Sequence, residues 1–363
     1  MVNKIQRIYT STIEGAFEQM LRSALSQVDS FGLIKLAIFS QTANGNEYKQ
    51  NITTAKSVVK EFFGDGAPLI SYIAQKTFNC GATVEATYLA QSDAIIERHG
   101  NYSLIHCNGC TELVTGGIIS NSTEGSTFEQ SAEIFETIGH ILSSNGFEPC
   151  NIYRQWNYIP GITVLNDGSQ NYQEFNDARS IFYSNSNWNN GYPAATGIGT
   201  GAGGVMVELC AIKGEECANL PIDNPLQIAA HNYSQQVLDG KVVELLGERT
   251  TPKFERARLL GKTIFISGTA AIKGECSNCS TDAVEQAAET MEIMNRLTSK
   301  ENIPTANSGS QYELLRVYVK RECDIPAVRE YMHHNYPAAR KHYLVADICR
   351  PELLIEIEGI ARI

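Results

Sequence analysis

The residues with the clearest chemical potential lie in one short run near the end of the chain: Arg340, Cys349 and Glu356. Glu356 and Glu358 are two residues apart, so in a β-strand they point to the same face. The residues around them are apolar and predict a buried strand; they are Leu353, Leu354, Ile355, Ile357 and Ile360. A carboxylate in such a strand either faces solvent or is held in a functional site. In a buried site its pKa rises, which makes it a proton donor near neutral pH.

The composition is that of an ordinary globular protein, and a length of 363 residues predicts two or three modules. The net charge of −11 disfavours nucleic acid as a partner, and it means that an anionic substrate needs a local cluster of arginines. The N-terminal residues have no signal-peptide pattern, and no apolar run approaches the roughly 18 residues that a membrane span needs. The ten cysteines therefore predict thiols of a reducing cytoplasm.

Two stretches of the chain follow the same order of predicted elements. In the C-terminal stretch these are a strand at 262–268, a helix at 283–297 with its N-cap at Thr281-Asp282, a strand at 313–320, a helix from Asp324, and strands at 342–346 and 353–360. The middle stretch repeats this order, with a helix beginning near Phe128, a strand at 152–159, a helix at 171–183 and a strand at 207–212. We interpret the repeat as an internal duplication in which Glu208 is equivalent to Glu356.

A third copy is predicted at the start of the chain, with strands at 33–40, 69–74 and 82–89, one helix at 53–63, and the second helix missing. The alternative is an unrelated N-terminal cap. Each full unit is a β-β-α-β-α-β-β module of α+β class. The predicted modules are residues 1–100, 101–215 and 216–363, with a linker at 213–225 and a helix over 224–240.

The C-terminal third, from Phe265-Ile-Ser-Gly-Thr269 to Glu356-Ile-Glu-Gly-Ile-Ala361, resembles the YjgF/RidA family, whose modules are chorismate-mutase-like in fold. These small proteins trimerise and bind carboxylate ligands between subunits. The resemblance implies that Arg340 and Glu356 belong to a ligand site, although the spacing departs from the family pattern by about one residue near Ile348–Arg350. It also implies that two or three modules in one chain close a pseudo-trimer, so a monomer is expected.

A longer resemblance covers about 200 residues of the middle and last modules and is to the chorismatases, which are chorismate hydrolases built on YjgF-like units. Five segments carry it: Arg154-Gln-Trp-Asn-Tyr-Ile-Pro160, Asn171-Tyr-Gln-Glu-Phe-Asn-Asp-Ala-Arg179, Pro193-Ala-Ala-Thr-Gly-Ile-Gly199, Ser267-Gly-Thr-Ala270 and Ala346-Asp-Ile-Cys-Arg350. The resemblance implies a hydrolase or lyase that converts chorismate to pyruvate and a hydroxybenzoate-type product without a cofactor. The implied site lies between the middle and last modules.

The resemblance also implies roles for individual residues. Glu356 would protonate the enol ether, while Cys349 and Ala271 would form walls that favour 3-hydroxybenzoate as the product; the plain alternative for Cys349 is a buried thiol. Planar arginine side chains suit carboxylates, and the expected substrate-binding residues are Arg154, Tyr158, Arg179, Tyr192, Thr196, Gly268, Ala271 and Arg340. Weaker candidates are Arg256, Arg258 and Arg350.

Two other functions remain open at this point: an imine deaminase of the YjgF type, and a non-catalytic module that binds small carboxylates. Two C-x-x-C pairs, Cys107/Cys110 and Cys276/Cys279, allow a four-thiolate zinc site. They lie far apart in the chain and at non-equivalent places in the repeat, so no metal is expected. The expected partner is a small molecule, chorismate.

Overall fold

The structure is a computed structural model that describes residues 4–78, 81–90, 93–214, 219–243, 247–304 and 310–363. It has three β-sheets of four or more strands and six α-helices within these ranges. The α+β class and the tandem-module arrangement predicted from the sequence are confirmed. None of the helices in the described ranges is long and apolar enough to cross a membrane.

The first sheet is built by the N-terminal part of the chain and has the strand order β1-β5-β2-β3. The elements of this part of the chain are β1 (Lys4–Thr10), α1 (Phe17–Leu25), β2 (Leu33–Ser40), α2 (Gly45–Phe63), β3 (Leu69–Ile73), β4 (Lys76–Thr77) and β5 (Ala82–Leu89). The short strand β4 pairs with β21 (Arg340–Val345) of the third sheet. The predicted absence of a second helix is wrong, because α1 precedes the helix that the sequence indicated. The predicted helix corresponds to α2, which begins at the Asn44 cap, where the side chain accepts from two backbone N–H groups.

The second sheet belongs to the middle part of the chain and has the order β13-β10-β14-β8-β7-β6. The strands and helices of this part of the chain are β6 (Ile95–His99), β7 (Tyr102–Cys107), β8 (Cys110–Thr115), β9 (Ile118–Ile119), α3 (Thr127–Ser144), β10 (Ile152–Pro160), β11 (Leu165–Asn166), β12 (Ser169–Gln170), α4 (Asn171–Tyr183), β13 (Ala194–Thr200) and β14 (Met206–Lys213). Among the described strands, β11 and β12 pair only with each other. A capping box between Ser126 and Glu129 begins α3.

The third sheet belongs to the C-terminal part and has the order β15-β16-β17-β22-β20-β21-β4. The elements of this part of the chain are β15 (Asn219–Ile222), β16 (Ala257–Leu260), β17 (Thr263–Ala270), β18 (Ile272–Lys273), β19 (Cys276–Ser277), α5 (Ala283–Leu297), β20 (Gln311–Val319), α6 (Ile325–Asn335), β21 (Arg340–Val345) and β22 (Ile355–Arg362). Within the described ranges, strands β18 and β19 pair only with each other. The side chain of Asp282 caps α5, as the sequence predicts.

The three sheets share one topology. The orders β1-β5-β2-β3, β8-β14-β10-β13 and β17-β22-β20-β21 correspond strand for strand. In each sheet, the strand between the two helices pairs antiparallel with the last strand of the module. The same strand pairs parallel with the strand that follows the second helix. Within the described residues, the N-terminal copy shows no counterpart of the opening strands β7 and β16. The N-terminal part is therefore a third copy rather than an unrelated cap.

The helices cover one face of each sheet, and the other faces meet in a shared core. Apolar stripes at helical spacing, such as Met291, Met294 and Leu297 of α5, are fully buried against their own sheet. The shared core joins Phe39, Tyr158 and other side chains contributed by all three sheets. This arrangement places the ends of neighbouring sheets in contact, where a site between modules can form.

The connection between the second and third sheets differs from the prediction. Residues 224–240 form no α-helix but two single 3₁₀ turns, Ala230–Asn232 and Gln235–Val237. Within the predicted linker, Asn219–Ile222 forms β15, which pairs with β16 of the third sheet. The described part of 224–254 folds back over the contact between the middle and last modules.

Candidate active site

A cavity of about 450 Å³ lies between the middle and last modules. The middle module contributes one wall from α4 and β13, and the last module contributes the opposite wall from β17, β22 and the loop before β22. The connection between the modules closes a third side with Gln227, Tyr233, Pro252 and Phe254 among others. The cavity therefore lies at the contact where the sequence predicted a site.

Glu356 forms part of the cavity wall near the start of β22. It pairs with Ala270 of β17 on one side and with Tyr318 of β20 on the other, and it is only 4% exposed. A Cβ atom at Gly268 would overlap with the Oε1 atom of Glu356, so a side chain at this position would displace the carboxyl group from where it crosses β17. Among the described residues, no side chain or backbone group forms a hydrogen bond or ion pair with the Glu356 carboxyl group.

The surroundings of Glu356 keep its carboxyl group protonated near neutral pH. Burial raises the pKa of Glu356, the charge of Glu358 raises it further, and Arg154 lowers it in part; the result is a pKa of about 8. A glutamic acid with this pKa is a general acid at neutral pH. The first of the two alternatives for this strand, a solvated carboxylate, is excluded by the burial of Glu356.

Three glutamates occupy equivalent places in the three sheets. Glu85, Glu208 and Glu356 each lie in the last strand of their module. Their pairing partners in the neighbouring strand are Ala37, Trp156 and Tyr318, each two residues after a basic residue. All three glutamates are buried, with at most 4% exposure. Their surroundings, however, differ.

The other two glutamates are bound by cations of a neighbouring module. Arg316 donates to both carboxylate oxygens of Glu85 at 2.7–3.0 Å, and Nδ1 of His342 lies 2.5 Å from Oε1. Burial alone would raise the pKa of Glu85, but Arg316 and His342 outweigh it and lower the pKa to about 2. Glu208 forms an ion pair with Lys35. Glu356 is thus the member of the set that can hold a proton.

Arginine side chains approach the cavity from three directions. Arg179 comes from α4, Arg256 from the residue before β16, and Arg350 from the loop before β22. No carboxylate among the described residues forms an ion pair with any of the three. Buried cations without a counter-ion are costly, so this arrangement favours anions as ligands of the cavity.

Two of these arginines retain unused donors. Arg179 is 1% exposed; its Nη2 atom donates to Oδ1 of Asn176, and its Nε atom has no partner. Nη2 of Arg256 donates to the hydroxyl of Tyr233 at 2.8 Å, whereas its Nε atom is also without a partner. A buried donor without a partner costs free energy until a ligand satisfies it. The third arginine, Arg350, donates to the hydroxyl of Ser277 at 2.9 Å.

Cys349 lines the cavity beside Glu356. Burial and the nearby Glu356 carboxyl group raise the pKa of its thiol to about 12. At neutral pH the thiol is therefore neutral, which makes it a poor nucleophile and a wall of the cavity. Ala271 is fully buried directly after Ala270, which lines the cavity; Ala271 itself lies behind the lining.

Arg154 and Thr196 lie beneath the cavity and not in its lining. Nη2 of Arg154 donates to the hydroxyl of Thr196 at 2.8 Å and forms an ion pair with Glu358. The Thr196 hydroxyl accepts from the backbone N–H of Gly268 at 3.0 Å and donates to Glu358. These two residues connect the middle module to the strands that carry the cavity.

Three other predicted site residues lie away from the cavity. Tyr158 is buried in the shared core, where its hydroxyl accepts from Arg316 at 3.3 Å. Tyr192 stacks on Tyr183, with ring centroids 5.9 Å apart. Arg340 is exposed at the start of β21 and lines two other clefts, so the structure does not bring it to Glu356. The prediction that Arg340 and Glu356 share a site is wrong because β21 is separated from β22 by β20.

Two tyrosines of the cavity were not among the predicted site residues. Tyr172 lines it from the first turn of α4, and a Cβ atom at Gly197 would come within 2.8 Å of the Tyr172 ring. The glycine therefore makes room for this ring, and both residues occur in segments that carried the family resemblance. Tyr233 comes from the connection between the modules, where no sequence pattern indicated a site.

The two C-x-x-C pairs lie in different sheets. Cys107 and Cys110 face each other across the β7–β8 hairpin, whereas Cys276 and Cys279 are exposed at the rim of the cavity. Within the described ranges, no group of three or more histidine, cysteine or acidic side chains is arranged to hold a metal ion.

Comparisons with known proteins agree with this architecture. The family model for the N-terminal region of FkbO/Hyg5-like chorismatases matches residues 90–211 of this chain. A 3-hydroxybenzoate synthase of Streptomyces hygroscopicus is 30% identical over 248 residues, which are 64% of this chain and 69% of that protein. A chorismatase of the same organism is 29% identical over 262 residues, 69% of this chain and 72% of that protein.

The fold also matches a solved structure over nearly the whole chain. A crystal structure of a chorismatase superposes with a TM-score of 0.74 at 22% identity, and the match covers 99% of this chain and 98% of that one. The likeness therefore includes the N-terminal module, which the family model does not reach. From the family model, the relatives and the shared fold, we conclude that this chain belongs to the chorismatase family.

Proposed function

We propose that this protein is an enzyme that converts chorismate to pyruvate and a hydroxybenzoate-type product, 3-hydroxybenzoate, without a cofactor. The observation that carries the proposal is the buried Glu356 carboxyl group, which has no bonded cation among the described residues and faces a cavity that three arginines line. Chorismate offers the matching chemistry, because it has two carboxylates and an acid-labile enol ether. The relative named 3-hydroxybenzoate synthase supports the choice of product.

The reaction begins with proton transfer from Glu356 to the terminal methylene carbon of the enolpyruvyl group. This forms a C–H bond and leaves an oxocarbenium centre at the ether carbon. Water attacks that carbon, and collapse of the hemiketal breaks the bond between the carbon and the ring oxygen, so that the oxygen of the attacking water becomes the ketone oxygen of pyruvate. Pyruvate leaves, and loss of water from the ring gives the aromatic product. Pyruvate and 3-hydroxybenzoate together contain the atoms of chorismate, so no net water is consumed.

Arginine side chains bind the carboxylates of the substrate. We assign the two carboxylates of chorismate to Arg179, Arg256 and Arg350, because these side chains line the cavity without a carboxylate partner among the described residues. A guanidinium group can hold a carboxylate through two parallel hydrogen bonds. Arg154 lies behind this set and acts on the site through Glu358.

Hydroxyl and apolar groups complete the binding site. We assign contact with the substrate to Tyr172 and Tyr233, which line the cavity. Thr196 and Gly268 shape the floor that Glu356 crosses.

The first experiment is incubation of the purified protein with chorismate, an assay of pyruvate, and chromatographic separation of the ring products. Pyruvate together with 3-hydroxybenzoate is the expected result. Pyruvate with a diene diol or with 4-hydroxybenzoate would retain the enzyme and overturn the product assignment. Absence of pyruvate would reject the proposal and would direct the same assay to imine substrates of YjgF-type deaminases and then to binding of small carboxylates.

Cys349 is expected to affect the product more than the rate. Its neutral thiol faces the same cavity as Glu356, so Cys349→Ala enlarges the space beside the reacting centre and removes no charge. We expect a larger share of the diene diol at the cost of 3-hydroxybenzoate, with total pyruvate release within about tenfold of the parent. Chromatography of the ring products measures the ratio. The exposed Cys323 provides the control variant Cys323→Ala, for which an unchanged ratio is expected; equal ratios in both variants would contradict the role of Cys349.

We further propose that the chain is a cytoplasmic monomer made of three modules, residues 1–100, 101–215 and 216–363. The three copies bind one another in a cycle through Lys35–Glu208, Arg154–Glu358 and Arg316–Glu85. Each module end therefore already has a partner within the chain. Light scattering is expected to give a mass near the chain mass of 39.9 kDa; a trimer would contradict closure within one chain.

A further inference from the structure

The three modules repeat not only the buried glutamate but also a basic residue on the neighbouring strand. Lys35 of β2, Arg154 of β10 and Arg316 of β20 occupy equivalent places, each two residues before the partner of the module's glutamate. All three basic side chains are buried, with at most 7% exposure. Equivalent residues in repeated modules are expected to make equivalent contacts.

Two of the three modules follow one rule. The basic residue reaches across to the glutamate of the next module, so that Lys35 binds Glu208 and Arg316 binds Glu85. By this rule Arg154 would bind Glu356. The structure shows a different contact, in which Nη2 of Arg154 forms its ion pair with Glu358.

The difference follows from one sequence position. The residue directly opposite each basic residue is Cys210 for Arg154 and Glu358 for Arg316, and Thr87 pairs with Lys35. The last module is the one with a carboxylate at this place, two residues after its glutamate. Cys210 and Thr87 carry no negative charge. The basic residue of the neighbouring module therefore binds the glutamate itself, Glu208 or Glu85, in these two copies.

Glu358 is held by five donors. The indole N–H of Trp156 donates to Oε1 at 3.1 Å, Nη1 of Arg316 at 2.9 Å and the hydroxyl of Tyr318 at 3.0 Å. Arg154 and Thr196 donate to Oε2. This number of donors fixes both the carboxylate and the cation that it binds, so neither is free to turn towards the cavity.

We propose that Glu358 is a positioning residue that captures Arg154 and thereby leaves Glu356 without the cation that its counterparts in the other modules bind. The inference rests on the proposed function in so far as Glu356 is the acid of the reaction. Its structural content, the diversion of Arg154, is independent of the substrate. By binding Arg154, the Glu358 carboxylate favours the uncharged form of the neighbouring Glu356 carboxyl group.

The groups that act on Glu356 are few. Glu358 lies on the same strand and Arg154 on β10, and these are the charged groups that influence its carboxyl group. The thiol of Cys349 and the hydroxyl of Tyr172 face it from the loop before β22 and from α4. Replacement of Glu358 removes one repelling charge and releases Arg154, and both effects favour the ionised form of Glu356.

The test is the near-isosteric variant Glu358→Gln, with the titration of Glu356 followed in two ways. One is the pH profile of kcat/KM with chorismate, and the other is ¹³C NMR of the glutamate carboxyl carbons in the free protein, with Glu356→Gln used for assignment. We expect the midpoint of Glu356 to move down by about one pH unit or more, so that at pH 8 kcat/KM falls about fivefold or more. An unchanged midpoint would overturn the inference.

A second variant separates this effect from general damage. In Glu358→Gln/Arg154→Met neither the repelling charge nor the released cation remains, and no Arg154 guanidinium is left without its carboxylate partner. We expect its NMR midpoint to lie above that of Glu358→Gln and below that of the parent, because Glu358 raises the pKa of Glu356 by more than Arg154 lowers it; a midpoint no higher than that of Glu358→Gln would overturn the capture of Arg154. The matched control is Glu112→Gln, another buried glutamate with a lysine partner, Lys4, for which no shift is expected.

The outcome also distinguishes this inference from the proposed function. The NMR titration needs no substrate, so it decides the role of Glu358 even if the parent releases no pyruvate from chorismate. Absence of pyruvate with a downward shift in Glu358→Gln would reject the chorismate reaction and retain the capture of Arg154. Pyruvate release with an unshifted midpoint would retain the reaction and reject the capture.

Discussion

Replacement of Glu356 by glutamine is expected to abolish pyruvate release from chorismate while binding of the ligand is retained. Glutamine has nearly the same shape but carries no acidic proton, and the space beside Gly268 admits no bulkier change. General acid catalysis contributes about 10²–10⁴ in rate, so we expect turnover to fall by at least about 100-fold. The arginines that line the cavity are untouched, and affinity for chorismate is expected to change little.

Pyruvate release measures the first quantity, and titration calorimetry with chorismate measures the second. Glu208→Gln is the matched control, because Glu208 is the equivalent residue of the middle module and is bound by Lys35 outside the cavity lining. Its turnover per folded molecule is expected to stay close to that of the parent. Unchanged turnover in Glu356→Gln would refute the proposed mechanism.

The same acid determines the pH dependence of the parent enzyme. The pKa of Glu356 is raised to about 8, above the ordinary value of 4.5, so the carboxyl group is protonated below that pH. Activity that depends on the protonated form is complete well below the pKa and falls as the pH rises through it.

Replacement of Glu85 by glutamine is expected to cause the largest loss of stability. The side chain is 3% exposed and binds Arg316 and His342, which join the first module to the last. The change leaves Arg316 with Glu358 as its remaining carboxylate partner and removes the carboxylate partner of His342. Breaking a buried ion pair by removing one partner costs about 3–5 kcal/mol of the free energy of unfolding. Urea denaturation followed by circular dichroism measures the change.

The pH dependence of stability gives a second measure of the same contact. The pKa of Glu85 in the folded protein is about 2, below its ordinary value of 4.5. The stability that this group contributes is therefore fully present above pH 4.5 and is lost as the pH falls towards 2. In Glu85→Gln this part of the acid dependence is expected to disappear.

An exposed ion pair is the control for both measurements. Glu61 binds Arg22 at 2.6 Å, but the two side chains are 53% and 38% exposed. Solvent screens such a pair, so Glu61→Gln is expected to cost less than about 1 kcal/mol. Equal losses in Glu61→Gln and Glu85→Gln would contradict the structural importance of the buried network.

The duplication was predictable because each module repeats hydrophobic periods and short motifs at the same places. In the middle and last modules, helices such as α4 (Asn171–Tyr183) and α5 (Ala283–Leu297) begin and end within a few residues of their predicted bounds. The N-terminal copy was harder to interpret. The sequence predicts the helix over 53–63 as the first helix of a module, whereas α1 (Phe17–Leu25) is the first and the predicted helix is the second.

The candidate site was predictable in part. Glu356, Cys349, Arg179 and Gly268 line the cavity that the sequence placed between two modules. Arg340 does not, because its place depends on the strand order within the last sheet and not on its distance along the chain. The connection that contributes Tyr233 and Phe254 has no helical or strand periodicity, so its contribution to the cavity could not be inferred from local pattern.

The sequence by itself determined that the middle and last modules repeat, that Glu208 and Glu356 lie at equivalent places in them, and that arginines accompany Glu356; it left the N-terminal part open between a third copy and an unrelated cap. It did not distinguish the three glutamates, since Glu85, Glu208 and Glu356 all lie in apolar strands. The tertiary structure decided which of them keeps a proton. A carboxyl group's pKa depends on charges within a few ångströms, and for these residues those charges come from other modules. Arg316 and Lys35 neutralise two of them, whereas Glu358 holds Arg154 and leaves Glu356 protonated.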